Sequence, residues 1–254
     1  MKVKNKKSLG QNFIFDKNFL AKISNSIVSK PNNTIIEIGP GPGTLTNYLF
    51  KKDYNKMILI EKDFRLIENL EKKFSAKNIV ILNIDAQDFD FQDSDINNSV
   101  IVGNLPFNIS VNLLYNWTKT KKWPPKQQIM ILMFQKEVAN RIMASHNSKS
   151  YGKLSVVVQS RYKVKKLLDV PSYLFTPPPK VDGIILEFTP HNDFQSIDIN
   201  KIDKVAKTAF SHRRKKIKNN LSEYINILNK LNIDVNLRPE NLSVLRYCEI
   251  ASNI

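Results

Sequence analysis

The sequence has a single cysteine, Cys248, so no disulfide can form within the chain, and this sparing usage suits a reducing compartment. Its 3 histidines, His146, His191 and His212, stand far apart with no cysteine cluster to join them, and no metal site is expected. Long apolar runs are also missing. Ile129 to Phe134 is far too short to span a bilayer, and no apolar core follows the basic stretch Met1 to Gly10, as a secretory signal would require. A cytoplasmic monomer without membrane contact is therefore expected. Glycine is scarce, at 7 residues, and acidic side chains are outnumbered: 23 Asp and Glu against 39 Lys and Arg give a formal net charge of +16. Such an excess draws polyanions by long-range steering and counterion release. An AT-rich genome, favouring Lys, Asn and Ile codons, gives the same bias with no polyanion involved. Charge suggests nucleic acid and names no reaction.

What is present is a chain of 254 residues, 42% hydrophobic, long enough for one sizeable α/β domain and a small appendage. Short apolar runs alternate with helical periodicity from Thr34 to about Thr189, the pattern of a doubly wound α/β sheet. Strands are predicted at Thr34–Ile38, Met57–Ile60, Ile79–Leu82, Val100–Val102, Ile129–Phe134, Val164–Val170 and Ile184–Phe188. Asp16 and Asp63 are placed to cap helices whose apolar faces carry Leu20 and Ile23, and Leu66 and Leu70. The polar stretch His191–Asn200 reads as a linker. Beyond it Ile202, Val205, Ala209, Ile217, Leu221, Ile225 and Leu228 recur at helical spacing. The expected division is thus a sheet domain over residues 1–190 and a small all-helical domain over 191–254.

Three of the glycines fall within five residues, Gly39-Pro40-Gly41-Pro42-Gly43, after a predicted strand and before a helix. A turn of this kind lets backbone approach a ligand closely, or is simply a tight turn. The dinucleotide pattern Gly-x-Gly-x-x-Gly fails, because position 44 is Thr. With Glu37 ahead of it, the loop instead resembles motif I of S-adenosylmethionine methyltransferases. Strand two ends at Glu61, about 20 residues on, where a carboxylate can accept from ribose hydroxyls. Strand three leads to Asp85, which can accept from an adenine amine. Each acid alone is more often a solvated loop residue; their order at consecutive strand ends favours a methyltransferase over a nicotinamide dehydrogenase.

Strand four runs into Asn104-Leu105-Pro106-Phe107, which resembles the Asn-Pro-Pro-Tyr motif of enzymes that methylate base amines. The residue types suit that chemistry. The lone pair of adenine's exocyclic amine is delocalised into the ring. Two acceptors, the Asn104 side-chain oxygen and the Leu105 carbonyl, would bind both amine hydrogens and free that lone pair. Pro106 would stiffen the loop, and Phe107 offers a face on which an extruded base can stack. The same segment also reads as an ordinary strand-to-helix loop.

Over nearly its whole length the chain resembles the KsgA-type 16S ribosomal RNA adenine N6,N6-dimethyltransferases. The resemblance is carried by Gly10-Gln11-Asn12-Phe13-Ile14, the glycine loop, Gly103 to Phe107, Gln135-Lys136-Glu137-Val138, Asn147-Ser148-Lys149, Phe175-Thr176-Pro177-Pro178-Pro179, Phe210 to Lys216 and Glu240-Asn241-Leu242-Ser243. It implies a Rossmann-like S-adenosylmethionine methyltransferase sheet, small-subunit ribosomal RNA as partner, and dimethylation of two adjacent adenines near its 3′ end, a step in ribosome biogenesis. It further implies cofactor contacts from Asn12, Ile14, Gly39, Glu61, Asp85 and Asn104, with Phe107 and Phe175 sandwiching the target base. Arg213, Arg214, Lys215 and Lys216 are either RNA phosphate contacts or a solvated helix face. Two positions depart from the family, which usually has Tyr at Phe107 and Leu at Ile14. An erythromycin-resistance-type enzyme acting on large-subunit RNA and a catalytically silent RNA-binding assembly factor are the alternatives.

Overall fold

The computed structural model describes residues 11–91, 96–105, 107–120 and 123–254, with side chains for all of these but 107, 108 and 128. The chain forms two compact units. The first comprises residues up to Leu113 with Pro125–Ala139 and Lys165–Thr189; the second comprises Leu114–Pro124, Asn140–Val164 and Pro190–Ile254.

In the first unit the runs predicted as strands pair into one sheet. In chain order they are β2 (Thr34–Ile38), β3 (Lys56–Ile60), β4 (Ile79–Leu82), β5 (Ser99–Gly103), β6 (Gln127–Gln135), β7 (Tyr162–Val170) and β9 (Gly183–Pro190), arranged β4-β3-β2-β5-β6-β9-β7. β2 pairs in parallel with β3 and with β5, β3 with β4, and β5 with β6, whereas β9 runs antiparallel to β6. Central parallel strands are covered on both faces, which is why β2 and β5 are buried at every residue and are largely apolar, with Glu37 as the charged exception in β2. The order reverses between β2 and β5, and ligands of open α/β sheets bind in the crevice at such a switch.

Two further strands escaped the sequence reading. β1 (Phe13–Ile14) and β8 (Phe175–Thr176) form a two-stranded antiparallel ribbon, with Phe13 opposite Thr176 and Ile14 opposite Phe175. Helix α1 (Lys17–Ser26) follows, capped by Asp16, whose Oδ1 accepts from the Phe19 amide at 2.7 Å. α2 (Thr46–Leu49) follows the glycine turn, and α3 (Phe64–Lys73) begins at its cap Asp63. α1 and α3 bury Leu20, Ile23 and Leu70 in one apolar cluster with Ile14, Ile35, Val102 and Phe175.

The chain crosses between the units within α4 (Phe107–Thr118), between Pro124 and Pro125, within α5 (Lys136–Met143) and β7, and again at Pro190. The second unit contains α6 (Lys153–Gln159), α7 (Ile199–Ala209), α8 (Ile217–Asn220), α9 (Ile225–Lys230) and α10 (Val244–Ser252). Ile202, Val205, Ala209, Ile217, Leu221 and Leu228 are fully buried there, as their spacing predicts. Segments 114–124 and 140–164, placed by sequence in the sheet domain, group with the residues after Pro190, because Tyr115, Ala144, Tyr151, Val156 and Val157 share their apolar cluster. The stretch read as a linker is pinned. The buried Arg161 guanidinium donates to the carbonyls of Phe194 (2.9 Å) and Ile197 (2.7 Å), and the Trp123 indole donates to that of His191 (2.8 Å).

Among the described residues no helix is long and apolar enough to cross a membrane, and no group of His, Cys, Asp and Glu is arranged to hold a metal ion.

Candidate active site

The pairing register brings four strand ends level. Ile38 of β2 lies opposite Ile60 of β3 and Gly103 of β5, and Ile60 lies opposite Leu82 of β4. Gly39, Glu61 and Asn104 therefore leave the sheet at one edge, and Asp85 follows three residues after Leu82. Gly39 and Glu61 extend the ladder, their amides donating to the carbonyls of Ile60 (2.9 Å) and Leu82 (3.0 Å).

The glycine turn needs its glycines for two reasons. Gly39, Gly41 and Gly43 all adopt positive φ, between 58° and 79°. A Cβ on Gly41 would also lie 2.4 Å from the Phe13 ring. Part of the close approach predicted for a ligand is thus made by the protein's own N-terminal segment.

Glu61 sits beneath this turn, only 6% exposed. Its Oε2 accepts from the Gly41 amide at 3.0 Å and its Oε1 from the Asp63 amide at 2.8 Å. Burial raises its pKa, and the Asp63 carboxylate adds to that, while the backbone amides oppose it. Asp63, read from sequence only as a helix cap, takes more partners. Arg65 donates Nε to Oδ1 at 2.8 Å and Nη2 to Oδ2 at 2.5 Å, and Gln11 donates Nε2 to Oδ2 at 2.9 Å. The Arg65 bonds foremost, with that of Gln11, hold the Asp63 carboxyl down at about 2. Glu37 on β2 is buried, and its Oε2 has no hydrogen-bond partner among the described residues. Burial pushes its pKa up to about 7; the Thr46 hydroxyl pulls it down, and the Glu61 carboxylate pushes it up.

Asp85 accepts from Lys62 Nζ at 2.6 Å and from the Gln87 amide at 3.0 Å. Burial alone would raise its pKa, but these two donors outweigh it and the net shift is downward. Asn83 ties the neighbouring loop down by donating Nδ2 to the Glu61 carbonyl at 2.8 Å.

Asn104 donates its side-chain Nδ2 to the backbone carbonyl of Asn12 at 3.1 Å. That contact commits the amide's donor end and leaves Oδ1 as its acceptor end. The Leu105 side chain is buried, so this residue can serve a ligand only through its backbone. Pro106 lies outside the described residues, and Phe107 is described only as the first residue of α4. The ribbon sets Ile14 opposite Phe175, joining two motifs that are 161 positions apart in sequence. Phe175 is 3% exposed and packs in the core with Ile14, so its ring is a structural anchor whatever else it does.

The basic segment lies in the second unit, and only part of it is open. Arg213 donates Nε to Glu240 at 2.8 Å and Nη2 to the Ser148 carbonyl at 3.4 Å. Glu240 in turn accepts at its own carbonyl from the Asn147 amide (2.7 Å), and Asn241 donates to the Asn147 side chain (2.9 Å). Arg213 thus clasps the Asn147-Ser148 turn to the Glu240-Asn241 segment. Arg214, Lys215 and Lys216 are exposed, and Lys216 reaches Asn236 at 3.3 Å.

Gln11, Phe13 and Arg65 were absent from the sequence-derived site. The only signal for Gln11 and Phe13 was their place beside Asn12 in a family motif, and Arg65 carried none.

The chain is similar to several known proteins in sequence and in fold. Ribosomal RNA small subunit methyltransferase A of Pelagibacter ubique is 39% identical over 247 residues, covering 95% of this chain and 94% of that protein. The protein of the same name from Mycoplasma mobile is 40% identical over 250 residues, covering 95% of each. The fold matches a dimethyladenosine transferase from Plasmodium falciparum with a TM-score of 0.83 at 24% identity, covering 95% of this chain and 96% of that one. It also matches the 23S rRNA methyltransferase ErmE with a TM-score of 0.69 at 22% identity, covering 95% of this chain and all of that one. The description of the ribosomal RNA adenine dimethylase family matches residues 2–254, and the chain belongs to that family.

Proposed function

We propose that this protein transfers methyl groups from S-adenosylmethionine to the N6 amine of adenine in small-subunit ribosomal RNA, two to each of two adjacent adenines near the 3′ end. The observation that carries the reading is Asn104. It stands level with the glycine turn at the switch of the sheet, with its amide donor end committed to Asn12 and its oxygen left to accept. The choice of the small subunit over the large rests on the relatives named small subunit methyltransferase A, which match across 95% of the chain.

The residues fit the cofactor. Each Glu61 carboxylate oxygen takes one backbone N–H and keeps a lone pair for a ribose hydroxyl. Asp85, Gly39, Asn12 and Ile14 complete the contacts, with Asp85 accepting from the adenine amine in place of one of its present donors. When bound, the cofactor supplies an electrophilic methyl on a sulfonium sulfur. Asn104 Oδ1 and the Leu105 carbonyl accept the two amine hydrogens, which draws the nitrogen toward tetrahedral geometry and turns its lone pair toward the methyl. A methylated nitrogen would be acidic enough to pass its proton to water, so no strong base is required. Phe107 and Phe175 flank the base, and exposed Arg214, Lys215 and Lys216 contact RNA phosphates from the second unit. No metal takes part. The protein works as a cytoplasmic monomer in ribosome biogenesis.

Mass analysis of small-subunit RNA incubated with protein and labelled cofactor tests this directly. Dimethylated adenine is expected, and Asn104→Ala at saturating cofactor is expected to slow transfer by roughly 10²-fold or more with RNA affinity nearly intact. RNA that is bound but unmethylated would favour the assembly-factor alternative, and label confined to large-subunit RNA would favour the erythromycin-resistance-type one.

A further inference from the structure

We propose that Gln11 and Asp63 are positioning residues that orient the Asn104 side chain, acting through the backbone carbonyl of Asn12. This rests on the reading of Asn104 as the acceptor for the reacting amine.

The argument starts from the two-ended nature of a carboxamide. Asn104 can present its oxygen to an amine only while its NH2 faces another acceptor; turned over, it would set two carbonyl oxygens against each other. The acceptor that fixes it is the Asn12 carbonyl, at 3.1 Å. Asn12 belongs to neither helix nor strand, and the chain is anchored on either side of it. On the far side, Phe13 and Ile14 pair with Thr176 and Phe175, and the Phe13 ring lies on Gly41. On the near side the described anchor is the bond from Gln11 Nε2 to Asp63 Oδ2 at 2.9 Å.

Asp63 is itself held from several sides. Its side chain is fully buried, gripped by two bonds from Arg65, and its amide donates to Glu61 Oε1 at 2.8 Å. The same Glu61 carboxylate accepts from Gly41 at 3.0 Å. A continuous path of contacts therefore runs from the glycine turn through Glu61, Asp63, Gln11 and Asn12 to Asn104. It links the acid that would bind the cofactor ribose to the amide that would bind the target amine. Displacement of a reacting group by about 1 Å is enough to cost roughly a hundredfold in rate.

The test compares Gln11→Leu, which removes the donor at similar volume, with Asp63→Leu, which removes the acceptor. In single-turnover methylation with saturating RNA and cofactor, Gln11→Leu and Asp63→Leu should lower the rate roughly tenfold to a hundredfold. RNA affinity should hold throughout. The loss from Gln11→Leu should vanish in an Asn104→Ala background, since a residue acting through Asn104 has nothing left to orient. A wild-type rate for Gln11→Leu, or an equal loss on top of Asn104→Ala, would overturn the proposal.

A second measurement does not depend on activity. The Asn104 side-chain amide resonance, assigned by its disappearance in Asn104→Ala, should exchange faster with water in Gln11→Leu. If the wild-type protein methylates no RNA, the functional reading fails by itself and this resonance still decides the positioning role; unchanged exchange in Gln11→Leu refutes it.

Discussion

Glu37 places a carboxyl inside β2, between the buried strands β3 and β5, where its charged form is poorly solvated. Its pKa stands at about 7 against an ordinary value of 4.5, with burial the main cause. A carboxyl raised in this way binds its proton more tightly in the folded than in the unfolded chain. Its destabilising effect is absent below the unfolded pKa, grows as the pH rises, and is complete above the folded one. Glu37→Gln, which keeps the shape and cannot ionise, should therefore gain on the wild type between pH 5 and pH 8 by about 2–3 kcal/mol. Urea unfolding of the cofactor-free proteins at several pH values would show it. Parallel stability profiles across that range would mean that Glu37 ionises without penalty. Glu61 is also raised by burial, but it accepts from the Gly41 and Asp63 amides, and those bonds oppose the rise.

At the scale of elements, the β1–β8 ribbon does what neither strand can do alone. It carries Asn12 to Asn104 and sets Ile14 against Phe175. Because Phe175 is buried in the core, its replacement mixes two effects. Phe175→Ala should destabilise the protein by about 3–5 kcal/mol, the usual cost of deleting a buried ring. Phe175→Leu fills most of the space, so it should fold well while losing a stacking contact of about 1–3 kcal/mol with an extruded base. Thermal unfolding paired with methylation assays separates the two, and a Phe175→Leu protein that methylates like wild type would leave Phe175 a core residue alone. The parallel strands were legible in the sequence because burial on both faces writes a largely apolar run, closed by Gly, Glu or Asn at the carboxyl end. The ribbon was not legible. Strands of two residues carry no periodicity, and their pairing spans most of the chain. The same holds for the segment after Pro190, whose polar side chains suggest a linker while its carbonyls are held by the buried Arg161. Asp63 shows the limit at a single residue: its capping role is local and readable, but its bond to Gln11, on a distant stretch of chain, is tertiary.

For the molecule as a whole, the net charge of +16 predicts salt-dependent attraction to RNA without saying which cations act. The structure sorts the basic segment of the second unit. Arg213 is already paired with Glu240 and clasps the Asn147-Ser148 turn, whereas Arg214 and Lys215 are exposed. A cation released to solvent can exchange counterions for phosphate, and each such contact contributes a slope of about 0.7–0.9 to the dependence of log affinity on log salt. Replacing Arg214 and Lys215 together with Ala should therefore flatten that dependence by roughly 1.4–1.8 and weaken binding at low salt. Methylation should largely recover at saturating RNA. Arg213→Ala should barely alter the slope. Its effect should fall on the junction between the Asn147 turn and the Glu240 segment, read as faster amide exchange at Asn147, whose N–H bonds to the Glu240 carbonyl. Filter binding across a salt series, alongside hydrogen exchange, distinguishes the two kinds of residue. If Arg213→Ala flattened the slope as much as the double variant, its ion pair with Glu240 would have to open on RNA. If neither variant changed the slope, the RNA-contacting cations would lie elsewhere on the protein.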